Sequence, residues 1–238
     1  MRETLGKESL SPRTAAFACL AAVLLLAGCA TDLQTYASPQ HQTLRLRPNE
    51  LAEDGLAFLT PSTVTGQEED KPSLAYVFAA TLKKKRPELR FDSLPQTIGA
   101  VNRAGLAETY RRMYRDYRDT GVFDAAALQT VAQAAGVRYL AQLNLASMEQ
   151  GARGRFSLLG LSLLNTQYAN MRVFFQVWDS QDGSIVWEGI DEVSMAFDTG
   201  QERRVTFRTI AKRAAQDLIA SLPAYARREN PPRARRAD

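Results

Sequence analysis

A catalytic chain needs a nucleophile, a converging titratable pair or a cluster of metal ligands, and this one is sparing with all three. Its cysteines are Cys19 and Cys29, and its single histidine is His41. Cys29 closes the stretch Leu24-Leu25-Leu26-Ala27-Gly28-Cys29, which ends an apolar run behind a basic N-terminus carrying Arg2, Lys7 and Arg13. A positive start, a short apolar run and small residues before a cut define a secretory signal, and the run from 15 to 27 is short for a bilayer span. Cys19 lies inside that signal, so neither a disulfide framework nor a cysteine metal site is expected. Glu188, Asp191 and Glu192 form the densest acidic group in ordered sequence. On a strand, Glu188 and Glu192 share one side and Asp191 takes the other, so they do not converge as an acid–base pair and are expected on a wet strand face. Glu68, Glu69 and Asp70 lack the alternating ligand spacing of a calcium loop and suit the approach to a helix N-terminus. His41 sits in a polar segment away from other ligands and is expected to be solvent-exposed. With no Gly-x-Ser-x-Gly elbow and no phosphate-cradling glycine loop, the sequence predicts no catalytic residue, no metal site and no small-molecule substrate.

Composition sets the frame for these residues. Loss of a 28-residue signal from 238 residues leaves 210, enough for one buried domain with flanks. The net charge of +4 resides at the ends of the chain. Arg2, Lys7 and Arg13 outweigh Glu3 and Glu8 in the signal, while Arg227, Arg228, Arg233, Arg235 and Arg236 outweigh Glu229 and Asp238 in the tail. The body is close to neutral, which excludes a broad nucleic-acid-binding face. Residues 224–238, with Pro231, Pro232 and few apolar side chains, read as a disordered basic tail, either simply solvated or loosely attracted to anionic lipid headgroups.

Hydrophobic periodicity predicts the elements. The polar stretch 29–53 reads as a flexible tether. Leu56 to Leu59 form a buried first strand ending at Pro61, and Leu74, Val77, Phe78 and Leu82 recur at helical spacing until Pro87, with Pro72 in the first turn and Lys83 to Arg86 at the negative end of the dipole. Leu89 to Leu94 read as a second short strand. Leu106, Tyr110, Met113 and Tyr117 mark a helix closed by Gly121, and its stripe of Tyr110, Tyr114 and Tyr117 either packs on the domain or meets a partner. Asp124 caps a further helix that ends at Gly136. Strands follow over Val137 to Leu145, Met171 to Trp178 and Ile185 to Phe197, the last two joined by a turn at Asp182-Gly183. Val205, Phe207, Ile210, Ala211, Ala214, Leu218 and Ile219 define a C-terminal amphipathic helix. Such an order predicts one mixed sheet with helices packed on it.

Between two of these strands lies a segment too apolar for an ordinary surface loop: Gly151 to Asn165, with Phe156, Leu158, Leu159, Leu161, Leu163 and Leu164 and no charge after Arg155. Three readings stand: a hairpin or short helix folded over its own core, a subunit or partner contact, or a membrane-inserting element. Phe156 to Leu164 barely reaches the length of a membrane strand and does not alternate cleanly.

Two resemblances add to this reading. Leu26-Ala27-Gly28-Cys29 resembles the bacterial lipobox, which implies diacylglycerol on the Cys29 thiol, cleavage before Cys29 and acylation of the new amino group; no other cofactor is expected. Ala30 and Thr31, with no aspartate directly after Cys29, resemble cargo released to the outer membrane of diderm bacteria. Gly136-Val137-Arg138-Tyr139-Leu140, the glycine-rich insertion and the run from Val177 to Trp187 are together similar to the periplasmic lipoproteins grouped around the curli secretion channel CsgG, and to the penicillin-binding-protein activator LpoB. The similarity covers roughly residues 55–223 and implies an α/β (α+β) fold, a single mixed β-sheet flanked by amphipathic helices, like the N-terminal domain of TolB. One departure is the short polar connection from Phe197 to Arg204, where the channel family has a second membrane hairpin, so a complete barrel is not implied. The expectation is a signal over 1–28, a tether over 29–53, a periplasmic domain over 54–223 and a tail over 224–238. Such a protein is an outer-membrane lipoprotein facing the periplasm, binding envelope proteins or itself without enzymatic chemistry. The alternatives are an oligomeric secretion accessory or pore component, and an activator of a peptidoglycan synthase.

Overall fold

The computed structural model describes residues 33–64, 68–158, 161–199 and 205–223, with backbone alone at 153–158, 161–165, 198 and 199. The N-terminal part comprises β1 (Leu33–Ala37), β2 (Gln40–Thr43), α1 (Glu50–Asp54), β3 (Leu56–Phe58), β4 (Ser62–Thr63), α2 (Asp70–Lys85) and β5 (Phe91–Asp92). Three helices follow: α3 (Leu94–Arg103), α4 (Ala107–Thr120) and α5 (Ala125–Ala135). The chain then enters β6 (Tyr139–Leu158), β7 (Leu161–Asp179) and β8 (Ser184–Thr199), and ends in α6 (Phe207–Ala220). The strands make one mixed sheet in the order β1, β8, β7, β6, β3, β5, with β2 continuing the β1 edge along β8 and β4 pairing β6. β6, β7, β8 and the β1/β2 edge run antiparallel, while β3 and β4 lie parallel to β6. The predicted α/β class, one mixed sheet flanked by helices, is the observed one.

Both faces of the sheet are covered over its lower half. On one side Leu74, Phe78 and Leu82 of α2 and Ile210, Ala214 and Leu218 of α6 pack on Phe58, Tyr139, Leu143, Val173, Phe175 and Trp187. Phe175 is the hub, with Phe78 5.7 Å and Trp187 5.3 Å away edge-on and Phe58 stacked at 6.4 Å. On the other side α3, α4 and α5 bring Val101, Met113, Tyr117, Leu128 and Val131 onto Ala57, Leu59, Leu140 and Trp178. The local signals explain the helix ends. Asp124 accepts a hydrogen bond from the Ala127 amide at 2.8 Å, and Gly121 and Gly136 take left-handed conformations with φ of 75° and 67°.

Four expectations are corrected. The segment 29–53 is not a flexible tether over its described part: β1 pairs with Val193 to Phe197 and β2 with Trp187 to Ile190, and α1 follows, so residues from Leu33 on already belong to the sheet and its flanks. The Leu89 to Leu94 strand shrinks to Phe91–Asp92, because Leu94 opens α3 behind Ser93, whose amide donates to Gln96 Oε1 at 2.8 Å. The strands predicted to end at Leu145 and to begin at Met171 instead run on, pairing through Leu158 and from Leu161. Glu188, Asp191 and Glu192 do not share a wet face, since Asp191 is fully buried. The signal and the basic tail lie outside the described residues, and among the described residues no helix is long and apolar enough to cross a membrane.

Close approach of α6 to the sheet depends on Gly189. A Cβ there would come within 2.8 Å of Leu218 and 2.7 Å of the Trp187 ring. Replacing Gly189 by Ala is expected to destabilise the domain by about 1–3 kcal/mol, measured as the shift in the urea-unfolding midpoint.

Candidate functional site

The apolar segment singled out from sequence is the free end of the β6–β7 hairpin. Past Gln150 the two strands add eight residues on the β6 side, pairing Gly151 with Tyr168, Ala152 with Gln167, Phe156 with Leu164, Ser157 with Ser162 and Leu158 with Leu161. Leu159 lies outside the described residues, and Leu163 falls where the register shifts beside Phe156. The segment is therefore neither a helix nor a loop but a continuation of the central ladder. Gly151 matters at its base: the Tyr168 ring lies across it, and a Cβ would come within 2.5 Å of the ring's phenolic carbon.

Helix support ends before this extension begins. Gln150 Nε2 donates to the Val205 carbonyl at 3.1 Å, which fixes the entry of α6 level with Gln150, and Leu218 near the other end of α6 lies against Gly189. α6 thus runs away from the free end. Thr199 opposite Asn165 is the last described pair of β8. Eight residues at about 3.3 Å each place the end of the hairpin some 25 Å beyond the start of α6.

The chain enters the fold at the same end. Leu33 opens β1 opposite Phe197, which pairs with Gln167 and, through it, stands level with Ala152. Cys29 itself lies outside the described residues. Four residues separate it from Leu33, a reach of at most about 14 Å.

The other sequence candidates disperse. His41 lies exposed on β2, with its ring stacked 6.4 Å from Trp187. Glu188 is half-buried and Glu192 pairs with Arg172 across the ladder at 2.6 Å. No cluster of three or more His, Cys, Asp or Glu side chains able to hold a metal exists among the described residues. The tyrosine stripe of α4 packs inward: Tyr110 Oη is 2.8 Å from the Thr60 amide, Tyr114 donates to the Pro61 carbonyl at 2.7 Å, and Tyr117 stacks on Phe123 at 4.2 Å.

Two charged features escaped sequence reasoning. At the end opposite the hairpin tip, Arg138 donates to both oxygens of Asp179 at 3.1 and 2.7 Å and to Asp54 at 3.2 Å. It lines a cavity of about 250 Å³ with Arg45, Arg47, Glu50 and Tyr139. Arg45 pairs with Asp182 at 2.6 Å and Arg47 with Glu50 at 2.7 Å, so each guanidinium is already neutralised and the cavity is an ion-pair knot. Hydrogen bonds from Ser184 and Arg45 pull Asp182 down to about 2. The knot ties β2's exit, α1, β6 and the β7–β8 turn, and its only sequence sign was Arg138 breaking the apolar entry to β6. The second feature is Asp191, whose carboxylate oxygens have no hydrogen-bond partner. Burial, reinforced by the Asp217 charge on α6, pushes it up to about 6, while the Ser38 and Glu192 amides and the Arg213 guanidinium offset part of the effect.

No family model and no curated protein matches the chain. Among solved structures, the chain is similar to a PelC dodecamer subunit from Paraburkholderia phytofirmans, at 14% identity and TM-score 0.46 over 80% of this chain and 100% of that one. It is also similar to lipoprotein GNA1162 from Neisseria meningitidis, at 15% identity and TM-score 0.32 over 62% and 85% of the two chains. A third neighbour is the LpoB C-terminal domain from Salmonella enterica, at 13% identity and TM-score 0.30 over 58% and 79%.

Both charged features make measurable predictions. Asp191 has a folded pKa above its unfolded value, so the folded state holds the extra proton and stability falls as the pH rises from about 4 to about 6, then levels off. Asp191→Asn should remove that slope and leave the protein more stable by on the order of 1–2 kcal/mol near pH 8, read from urea melts across the range. Asp179 is almost fully buried beneath Arg138, so Arg138→Met should cost roughly 2–3 kcal/mol. Arg138→Lys should restore only a minor part, since an ammonium cannot replace the two-pronged contact.

Proposed function

We propose that the protein is a lipid-anchored component of the bacterial envelope that works by binding at the membrane surface and not by catalysis. The observation that carries this reading is the short leash: Leu33, four residues after the cysteine of the lipobox-like sequence, is already paired into the sheet. A domain held within about 14 Å of its acylated residue sits on the bilayer and cannot sweep the space beyond it. Its partner is therefore itself at the membrane, either another envelope protein or a second copy. Ala30 and Thr31 after Cys29 support the outer membrane, with the domain facing the periplasm.

The same magnitudes weigh on the two alternatives. An activator of a synthase in a distant membrane requires a long linker, and the pairing of β1 with β8 uses up the segment that would supply it. A barrel-forming secretion pore requires roughly nine to eleven residues inside the membrane per strand. The uncharged part of the hairpin offers only 156–158 on β6, although it runs from 161 to 171 on β7. An oligomeric accessory that gathers on the membrane without spanning it fits both measures.

Intact mass spectrometry of protein extracted from its own membrane tests the anchor. The expected species begins at Cys29 and carries a diacylglyceryl group and an N-acyl chain; a chain beginning elsewhere with a free Cys29 thiol contradicts the reading. Light scattering of the same sample in mild detergent then separates a closed oligomer, the mark of a secretion accessory, from a monomeric adapter.

A further inference from the structure

We propose that β1 and β2 form a strap docked over Asp191 that loosens when this carboxyl group loses its proton, so that acid shortens the domain's leash and neutral conditions lengthen it. The change in leash length rests on the lipid-anchor reading above, but the strap's response to protons requires no lipid on Cys29.

The strand register puts Asp191 beside the joint of the strap. Ala37, the last residue of β1, pairs with Val193, and Gln40, the first of β2, pairs with Ile190. Asp191 and Glu192 are therefore the two β8 residues that the Ser38–Pro39 joint bridges. Asp191 is fully buried on the side that α6 covers, and its oxygens find no hydrogen-bond partner. The Ser38 amide donates instead to the Glu192 carbonyl at 3.1 Å. Among the described residues no strand lies outside β1 and β2 on this edge, so the strap closes the open side of β8 next to Asp191.

A carboxylate in that position is stripped of water, and the charges around it do not repair the loss. On α6, Asp217 opposes its ionisation, while Arg213, itself paired with Asp217 at 2.6 Å, favours it. β1 carries no charged residue, β2 only His41 opposite Gly189, and the β7 residue across from Asp191 is Val173. Burial above all, with Asp217, therefore holds the proton on Asp191 up to a pH of about 6.

The strap itself is lightly held. β1 and β2 are exposed nearly throughout, and their contacts with the core are Ala37 and the His41 ring on Trp187. An edge kept in place by backbone bonds and so little apolar burial belongs to the part of a fold that opens locally. Release that starts at Leu33 stops at Arg45, paired with Asp182, and at Leu46, buried in the core. The chain between Cys29 and the first fixed residue then grows from four residues to sixteen, and its reach from at most about 14 Å to about 55 Å. The docked state holds the proton and the released state gives it up. Opening thus becomes easier by about tenfold per pH unit from about 4 to about 6 and then levels off, roughly a hundredfold in all.

The test is hydrogen–deuterium exchange of the chain 29–238 carrying Cys29→Ser, read by mass spectrometry from pH 4 to pH 8 and corrected for the intrinsic exchange rate at each pH. Peptides covering 33–43 are expected to exchange faster than those covering 139–145, and their protection to fall roughly a hundredfold between pH 4 and pH 7 before levelling. Asp191→Asn should flatten that profile. Asp217→Asn should move its midpoint to lower pH, because it removes the charge that opposes ionisation. A profile for 33–43 that is flat in the parent, or that falls equally in Asp191→Asn, overturns the proposal. So does protection of 33–43 equal to that of 139–145 at every pH, which would make the strap part of one cooperative unit. The exchange is read without acyl chains, so its failure leaves the mass of acylated Cys29 unaffected, and the two readings fail separately.

Discussion

The backbone ladder joining β6, β7 and β8 is the constraint on which everything else in this molecule rests. Over its lower half its register is held by burial, since a one-residue slip would exchange Leu143, Val173 and Phe175 for Gln142, Phe174 and Gln176 on the face that meets α2 and α6. Beyond Gln150 none of the described helices lies along it, and the strands stay together by continuing the backbone pairing. The ladder thus works as a lever. Its buried end sets the position of its free end, and the same β8 that carries the lever receives β1.

The two ends of the sheet are chemically opposite, and that polarity gives the protein an orientation. At one end, Arg138, Asp179, Asp54, Arg45 and Asp182 form a neutralised, water-facing knot around the β7–β8 turn. At the other, the ladder finishes in apolar and serine rungs flanked by two arginines. Charged knots of this kind contribute little net stability when exposed, but Asp179 is buried, so the knot fixes the turn from which both long strands return. Asp191 works against the fold, its carboxylate buried beneath α6. No structural benefit of it is visible.

Legibility in the sequence followed burial. Elements with one buried face and standard caps, such as α5 between Asp124 and Gly136 or the β7–β8 turn at Gly183, announced themselves through periodicity and punctuation. β1 and β2 did not, because they are edge strands exposed nearly throughout and pair through their backbones alone, which leaves no hydrophobic alternation to read. The register shift between Leu145 and Ser147 broke the period of β6 just where the sequence suggested that the strand ends. α3 was hidden by Pro95 and Gly99, although the Ser93 to Gln96 capping signature was available. The apolar tip was conspicuous by composition, but its place at the end of a ladder beside the chain's entry followed only from strand pairing.

The most direct test is depth. In the proposed mature form, acylated on Cys29, the chain has no other thiol, so a spin label can be placed at Gln34→Cys or at Ser184→Cys in the acylated protein reconstituted in vesicles. The account predicts that a nickel chelate carried on a lipid headgroup relaxes the label at 34, beside the start of β1, strongly and the label at 184, at the far end of β8, weakly. Equal relaxation of the two labels would contradict a domain held against the bilayer by a short leash at its β1 end.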